Sequence, residues 1–178
     1  MILLMGIAGS GKGTQGKMLS DQHQFHLVSM GDVLRMYVTG QQRKRMMAGG
    51  LLDDAEIISI VDKLMSTISN SEEVILDGFP RTIPQAEWLA KQVEAGRFNL
   101  NIAIHLVATR KAVKERLLKR ARLDDKEASI EARFDEYEKS TLPLIKWLEE
   151  HNVKVMNIDA ERPVDVVNKD LVDIIKNN

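Results

Sequence analysis

The chain has no cysteine among its 178 residues, which excludes disulfides, a thiolate nucleophile and a cysteine-ligated zinc. Aromatic residues make up only 4%, and the net charge is −1, so the molecule as a whole has no pull toward nucleic acid or membrane. Any electrostatic specialisation must be local. No apolar run approaches membrane-spanning length, and the opening MILLM gives five apolar residues before Gly6, too few for a signal-peptide core. No Pro/Gly/Ser-rich linker, low-complexity tract or internal repeat divides the sequence. What is present, 44% apolar and 29% charged residues, suits one core of ordinary size. The expectation is a single cytoplasmic domain over 1–178, monomeric on account of its small size and short connections.

Short apolar runs alternate with longer segments of helical period. The candidate strands are 2–5, 26–29, 73–77, 102–108 and 153–158. The candidate helices are 11–24, 31–47, 54–68, 84–95, 110–121, 127–150 and 164–176. The strands are apolar almost throughout, as in a parallel sheet buried on both faces. Such alternation predicts an α/β sandwich with right-handed crossovers. Ligands of such sheets bind beyond the carboxyl ends of the strands. Three chemically loaded stretches stand there: GIAGSGKGT (6–14), SMGDVLR (29–35) and DGFPR (77–81). They are expected to share one rim.

Gly6, Gly9, Gly11 and Gly13 can bring backbone N–H groups close to an anion, and Lys12 adds a mobile positive charge for outer phosphates. The context of strand, glycine-rich turn and helix start predicts a P-loop NTPase, a three-layer sandwich with a five-stranded parallel sheet between helices. The usual pattern sets Ser or Thr directly after the lysine, and here Gly13 stands there, with Thr14 one place later. Thr14 can meet a phosphate oxygen but is poorly placed to hold Mg2+ directly. Magnesium is then expected on phosphates and water, with Asp77 and Asp32 acting through water.

Five segments, GIAGSGKGTQ, SMGDVLR, MMAGGLLDDAEI, ILDGFPRTIPQAEWL and RLDDKEASIEARFDEYEKSTLPLI, resemble in order the successive motifs of adenylate kinases. The resemblance spans nearly the whole chain. It implies transfer of the terminal phosphoryl of ATP to AMP, giving two ADP, with magnesium required. By that likeness Gly9, Ser10, Gly11, Lys12, Gly13 and Thr14 cradle the ATP phosphates, Arg116 lies over its adenine, and the backbone near Arg162 meets the adenine edge. Arg35 and Arg81 grip the phosphate of the monophosphate. Met30, Gly50, Leu51, Leu52, Gly78, Phe79 and Gln85 are implied around the rest of it, with Gln85 hydrogen-bonding its base. Lys12, Arg81, Arg120, Arg122 and Arg133 would surround the transferring group, Arg120 on the ATP side, Arg122 and Arg133 on the AMP side.

Physical chemistry supports the same residues. Phosphoryl transfer needs alignment and cationic neutralisation more than covalent work, and guanidinium forks grip phosphate while staying charged at any working pH. Residues 110–122 hold seven basic side chains and one acidic, a local +6. The bland reading, a solvated flank, suffices for Lys111, Lys114 and Lys119. Direct nucleic-acid binding by this stretch lacks interleaved aromatics.

Two features depart from the family pattern. Met30 stands where Thr is usual beside the acceptor base, which leaves a UMP/CMP or broad-specificity kinase as an alternative. Only Ala121 separates Arg120 from Arg122, where relatives carry a lid; 120–122 reads as a vestigial lid and 30–52 as a shortened monophosphate-binding region. A nucleotide-binding protein with weak or hydrolytic turnover is the second alternative. The four histidines show no metal spacing, and His105 reads as a core residue. Asp53 reads as a helix cap, Pro143 as a bend in the long helix, and LDD (123–125) as a helix start that could orient Arg122 or Arg133.

Overall fold

A computed structural model describes residues 1–68 and 73–177. Five strands, β1 Ile2–Met5, β2 His26–Ser29, β3 Val74–Asp77, β4 Ile102–Val107 and β5 Val155–Asp159, form one sheet in the order β2-β3-β1-β4-β5. Every pairing is parallel. This is the three-layer P-loop sandwich that the alternation predicted. Along β1 the side chains divide by parity: Ile2 and Leu4 join one apolar cluster, Leu3 and Met5 the other. A strand that feeds two cores needs an unbroken apolar run, which is why ILLM carries no polar residue.

The helices are α1 Lys12–His23, α2 Met30–Tyr37, α3 Gly40–Met47, α4 Asp54–Met65, α5 Ile83–Glu94, α6 Arg110–Arg120, α7 Glu127–Glu136, α8 Leu142–Glu150 and α9 Val164–Lys176. Layers form on both faces: Leu19 of α1 and Leu171 of α9 cover one, while Leu89 of α5 and Leu144 of α8 cover the other. Asp53 caps α4, its Oδ1 accepting from the backbone N–H of Ala55 at 3.0 Å. Among the described residues no helix is long and apolar enough to cross a membrane.

Two expected helices are broken. The segment 31–47 divides into α2 and α3 because Val38 and Thr39 adopt extended conformations and Gly40 has φ +54°. The break turns Val38 into the core, where it is 2% exposed. The segment 127–150 passes through a π-helical turn at Tyr137–Thr141 before α8. Pro143, in the first turn of α8, has no N–H for the carbonyl four residues back. The chain widens instead, and the N–H of Leu142 donates to Tyr137 O, five residues back.

His105 is a satisfied core residue, its Nδ1 paired with Asn157 Oδ1 at 2.7 Å and its Nε2 with the Tyr137 hydroxyl at 2.5 Å. Trp88 packs edge-on against Phe79. Trp147 packs against the same core cluster.

Candidate active site

The ends of β1 and β3 and the start of α2 open into one cleft of about 1180 Å³. Its floor is the glycine loop. Gly6 (φ +131°) and Gly9 (φ +91°) both need the left-handed half of backbone space. A β-carbon at Gly6 would come 2.5 Å from Leu106 O, and one at Gly9 2.8 Å from Leu117 Cγ. The loop is therefore pressed between β4 and α6, and only glycine fits. Gly13 differs from the other three, since it lies within the first turn of α1 and is helical. That turn has no acidic residue and no side-chain cap, so its N–H groups are open to an anion. The Ser10 hydroxyl, beneath the loop, is the only buried side-chain polar atom among the described residues without a hydrogen bond.

Lys12 Nζ donates to Gly6 O at 2.7 Å and Ile7 O at 3.0 Å, which folds the ammonium back over the loop. Burial pulls its pKa down to about 8; Arg81 and Arg120 push the same way, while Asp77 opposes them. Asp77 ends β3, is 8% exposed, and lies near Gly13: a β-carbon there would be 3.8 Å from Asp77 Oδ2. Asp32, the other acid at the rim, accepts from Arg35 Nη2 at 2.6 Å. That bond holds its carboxyl below the usual range, against an opposing push from burial. Among the described residues no group of three or more His, Cys, Asp or Glu is arranged to cage a metal. One buried carboxylate beside an anion cradle suits a hard cation that arrives on phosphates and keeps its water.

The arginines of the cleft come from five parts of the chain. Arg81 follows the cis Phe79–Pro80 peptide, and its Nε donates to Gly78 O at 3.0 Å. Burial lowers its pKa, Asp77 raises it, and Arg133 and Arg35 lower it again. Arg120 and Arg133 share a single carboxylate. Asp125 Oδ2 accepts from Arg120 Nε at 2.9 Å and from the Arg122 backbone N–H at 3.1 Å. Its Oδ1 accepts from Arg120 Nη2 at 2.7 Å and Arg133 Nη1 at 3.0 Å. Arg133 Nη2 also donates to the carbonyl and carboxylate of Asp124. Burial pushes Asp125 up, but these donors outweigh it and hold its pKa down to about 2. Ala121, between the arginines, sits at φ +52° and turns the chain from α6 back toward α7.

Most of the expected site residues meet in this one cleft. Gly9, Ser10, Gly11, Lys12, Gly13, Thr14, Asp32, Arg35, Gly50, Leu51, Asp77, Gly78, Arg81, Arg116, Arg120, Arg122, Arg133 and Arg162 all line the cleft. Four do not. Met30 (1% exposed), Leu52 (8%) and Phe79 (0%) belong to the apolar core under the rim. Gln85, also buried, spends its carboxamide on protein: Oε1 accepts from the Arg81 N–H at 2.8 Å, and Nε2 donates to Asp54 Oδ1 at 2.7 Å. Asp54 also accepts from the Thr82 hydroxyl at 2.8 Å, so it fixes the turn that carries Arg81. Sequence reasoning missed Asp54 and left the part of Asp124 and Asp125 open. Two adjacent acids directly after a strongly basic helix were the available signal.

The sequence model of the adenylate kinase family matches residues 4–153. The chain belongs to the adenylate kinase family. It is 35% identical over 162 residues to the adenylate kinase of Porphyromonas gingivalis, covering 85% of this chain and 84% of that one. The adenylate kinase of Corynebacterium urealyticum is 33% identical over 174 residues, covering 94% of each chain. That of Phocaeicola vulgatus is 33% identical over 181 residues, covering 96% of this chain and 95% of that one. As a member of this family the protein is a nucleoside monophosphate kinase, a phosphotransferase with a P-loop.

Proposed function

We propose that this adenylate kinase family member transfers the terminal phosphoryl group of ATP to AMP, giving two ADP. The observation that carries the reading is the convergence of Lys12, Arg35, Arg81, Arg120, Arg122 and Arg133 on one cleft floored by open N–H groups. An oxygen of the acceptor phosphate attacks the terminal phosphorus, and the bond from that phosphorus to the bridging oxygen breaks, leaving ADP. Lys12 and the N–H groups of α1 hold the donor phosphates; Arg35 and Arg81 hold the acceptor phosphate. Arg120, Arg122 and Arg133 neutralise charge spreading over the moving group. Arg116 and the turn around Arg162 serve the donor base. Magnesium, held by the phosphates and by Asp77 and Asp32 through water, supplies charge neutralisation when bound. Residues 30–52 act as a short acceptor-binding region, and 120–122 stand in place of a lid.

One observation favours a broader acceptor range. Met30 lies in the core and Gln85 is bonded to Arg81 and Asp54, so neither presents a polar group to an acceptor base. Leu34, Met46 and Leu51, which line the cleft there, are apolar and would accept any base face. Diphosphate formation from ATP, magnesium and each monophosphate in turn tests both readings. AMP conversion exceeding that of CMP and UMP supports AMP as acceptor; comparable rates support broad use, and no diphosphate from any of them overturns both. The short 120–122 link admits water, so slow ATP loss without acceptor is expected. Equal ATP loss with and without AMP would make the protein a hydrolase.

A further inference from the structure

Two buried carboxamides pair between α1 and α9: Gln15, which also lines the cleft, and Asn168, which does not. Gln15 is 3% exposed and Asn168 6%. Gln15 Nε2 donates to Val164 O at 2.9 Å, and Asn168 Nδ2 donates to Gln15 Oε1 at 3.1 Å. A carbonyl can only accept, so Gln15 must turn its NH2 toward Val164. Its oxygen then faces Asn168, which must present its own NH2. The chain of donors runs one way, from Asn168 through Gln15 to Val164. Gln15 stands in the first turn after the phosphate loop, while Val164 opens α9 on the wall of the same cleft.

The turn 160–164 is thereby anchored at both ends. Arg116 Nη2 donates to Ala160 O at 2.8 Å, and Gln15 holds Val164 O. The polar side chains between them point elsewhere. Glu161 Oε1 accepts from the Thr109 N–H at 2.7 Å; Arg162 reaches Asp159 O at 3.2 Å and Asp170 Oδ2 at 2.8 Å. Pro163 and Val164 have no polar side chain. A base resting on this turn therefore meets main chain, and the aim of that main chain is set by the two anchored carbonyls. Buried carboxamides are costly unless fully bonded, and an apolar pair would fill the space without fixing a direction.

We infer that Gln15 and Asn168 are positioning residues for donor-base selectivity, holding the 160–164 main chain in the register that separates a 6-aminopurine from a 6-oxopurine triphosphate. The inference rests on the phosphotransferase reading above. Steady-state kinetics with ATP and with GTP as donor, at fixed AMP, test it. The parent prefers ATP. In Gln15→Met, which keeps volume and loses both bonds, the ATP:GTP ratio of kcat/KM falls about tenfold or more, through the donor KM. The KM for AMP stays put. Asn168→Asp cannot donate, so Gln15 turns over, Val164 is released and the ratio falls likewise; Asn168→Ser, whose hydroxyl still donates, keeps more of it.

A merely structural role would lower Tm and slow both donors alike, leaving the ratio unchanged. An unchanged ratio in a folded Gln15→Met, checked by far-UV circular dichroism, overturns the inference. If that variant is unfolded, equal ratios for Asn168→Asp and Asn168→Ser do the same. A parent without preference between ATP and GTP also overturns it, leaving phosphotransfer intact. A parent that makes no diphosphate from either donor overturns the phosphotransferase reading itself.

Discussion

The phosphate loop and the arginine cluster face each other across one cleft and are built on opposite principles. The loop presents main-chain donors whose direction comes from glycine geometry and close packing against Leu106 and Leu117, with no acid in the first turn of α1. The cluster presents side-chain cations whose direction comes from two buried acids, Asp124 and Asp125. Partial charges on fixed amides need no counterion and can stand open to a ligand. Full charges crowded together repel, so guanidinium groups that must converge before substrate arrives need an anion between them. Where the chain must gather whole charges it uses buried carboxylates, and where partial charges suffice it uses backbone shape.

The largest effect that would break this contrast is expected at a cation that makes no ion pair among the described residues, with Asp77 acting on it only at longer range. Arg81→Ala should reduce turnover roughly 10³–10⁵-fold, since single arginines at such centres carry that much. A variant within tenfold of the parent, by coupled assay of ADP, would remove Arg81 from the reacting centre. Next comes Asp125→Ala, which leaves Arg120 and Arg133 facing each other without their shared acid. Stability should fall by about 3–5 kcal/mol, read from urea unfolding, the usual loss when one partner of a buried pair is removed. If stability holds and only turnover drops, the acid serves the reaction alone.

The loop gives the third test. Lys12 has its pKa lowered to about 8, so the free protein loses this proton, and with it donor affinity, as pH rises through that value. Donor kcat/KM should be level below the break and fall roughly tenfold per pH unit above it. Lys12→Arg should move the break upward; a break that stays would belong to another group. The smallest effect is expected for Lys114→Ala, which severs ion pairs to Glu127 and Glu131 on the exposed side of α6 and α7. Exposed pairs contribute little, so Tm should not change measurably. A clear drop would mean that the buried acids do not carry this junction by themselves.

The sheet and the rim were legible because apolar runs and motif positions are local signals. ILLM, HLVS and the core of EVILD could be read without knowing what they touch, and their carboxyl ends named the cleft. The break at Val38–Gly40 was not legible, since it depends on a core that draws Val38 inward; Pro143 did mark the bend in the long helix, and only its form, a π-helical turn at Tyr137–Thr141, stayed hidden. The same limit applied to Gln85. Its motif points to a base, but only the fold shows Asp54, 31 residues away in sequence, taking the carboxamide. Gln15 and Asn168, 153 residues apart, were invisible for the same reason.

Six residues, 121–126, join α6 to α7, and the first of them takes a left-handed conformation to do so. A connection this short leaves no separately folded body to swing across the cleft. On the proposed reading, each catalytic round begins and ends by diffusion through an open mouth, with no swinging body between α6 and α7 to wait for. Turnover should therefore respond to added viscogen only as far as ligand entry and escape do. On that reading, protection from solvent comes from how tightly the two nucleotides themselves plug the opening.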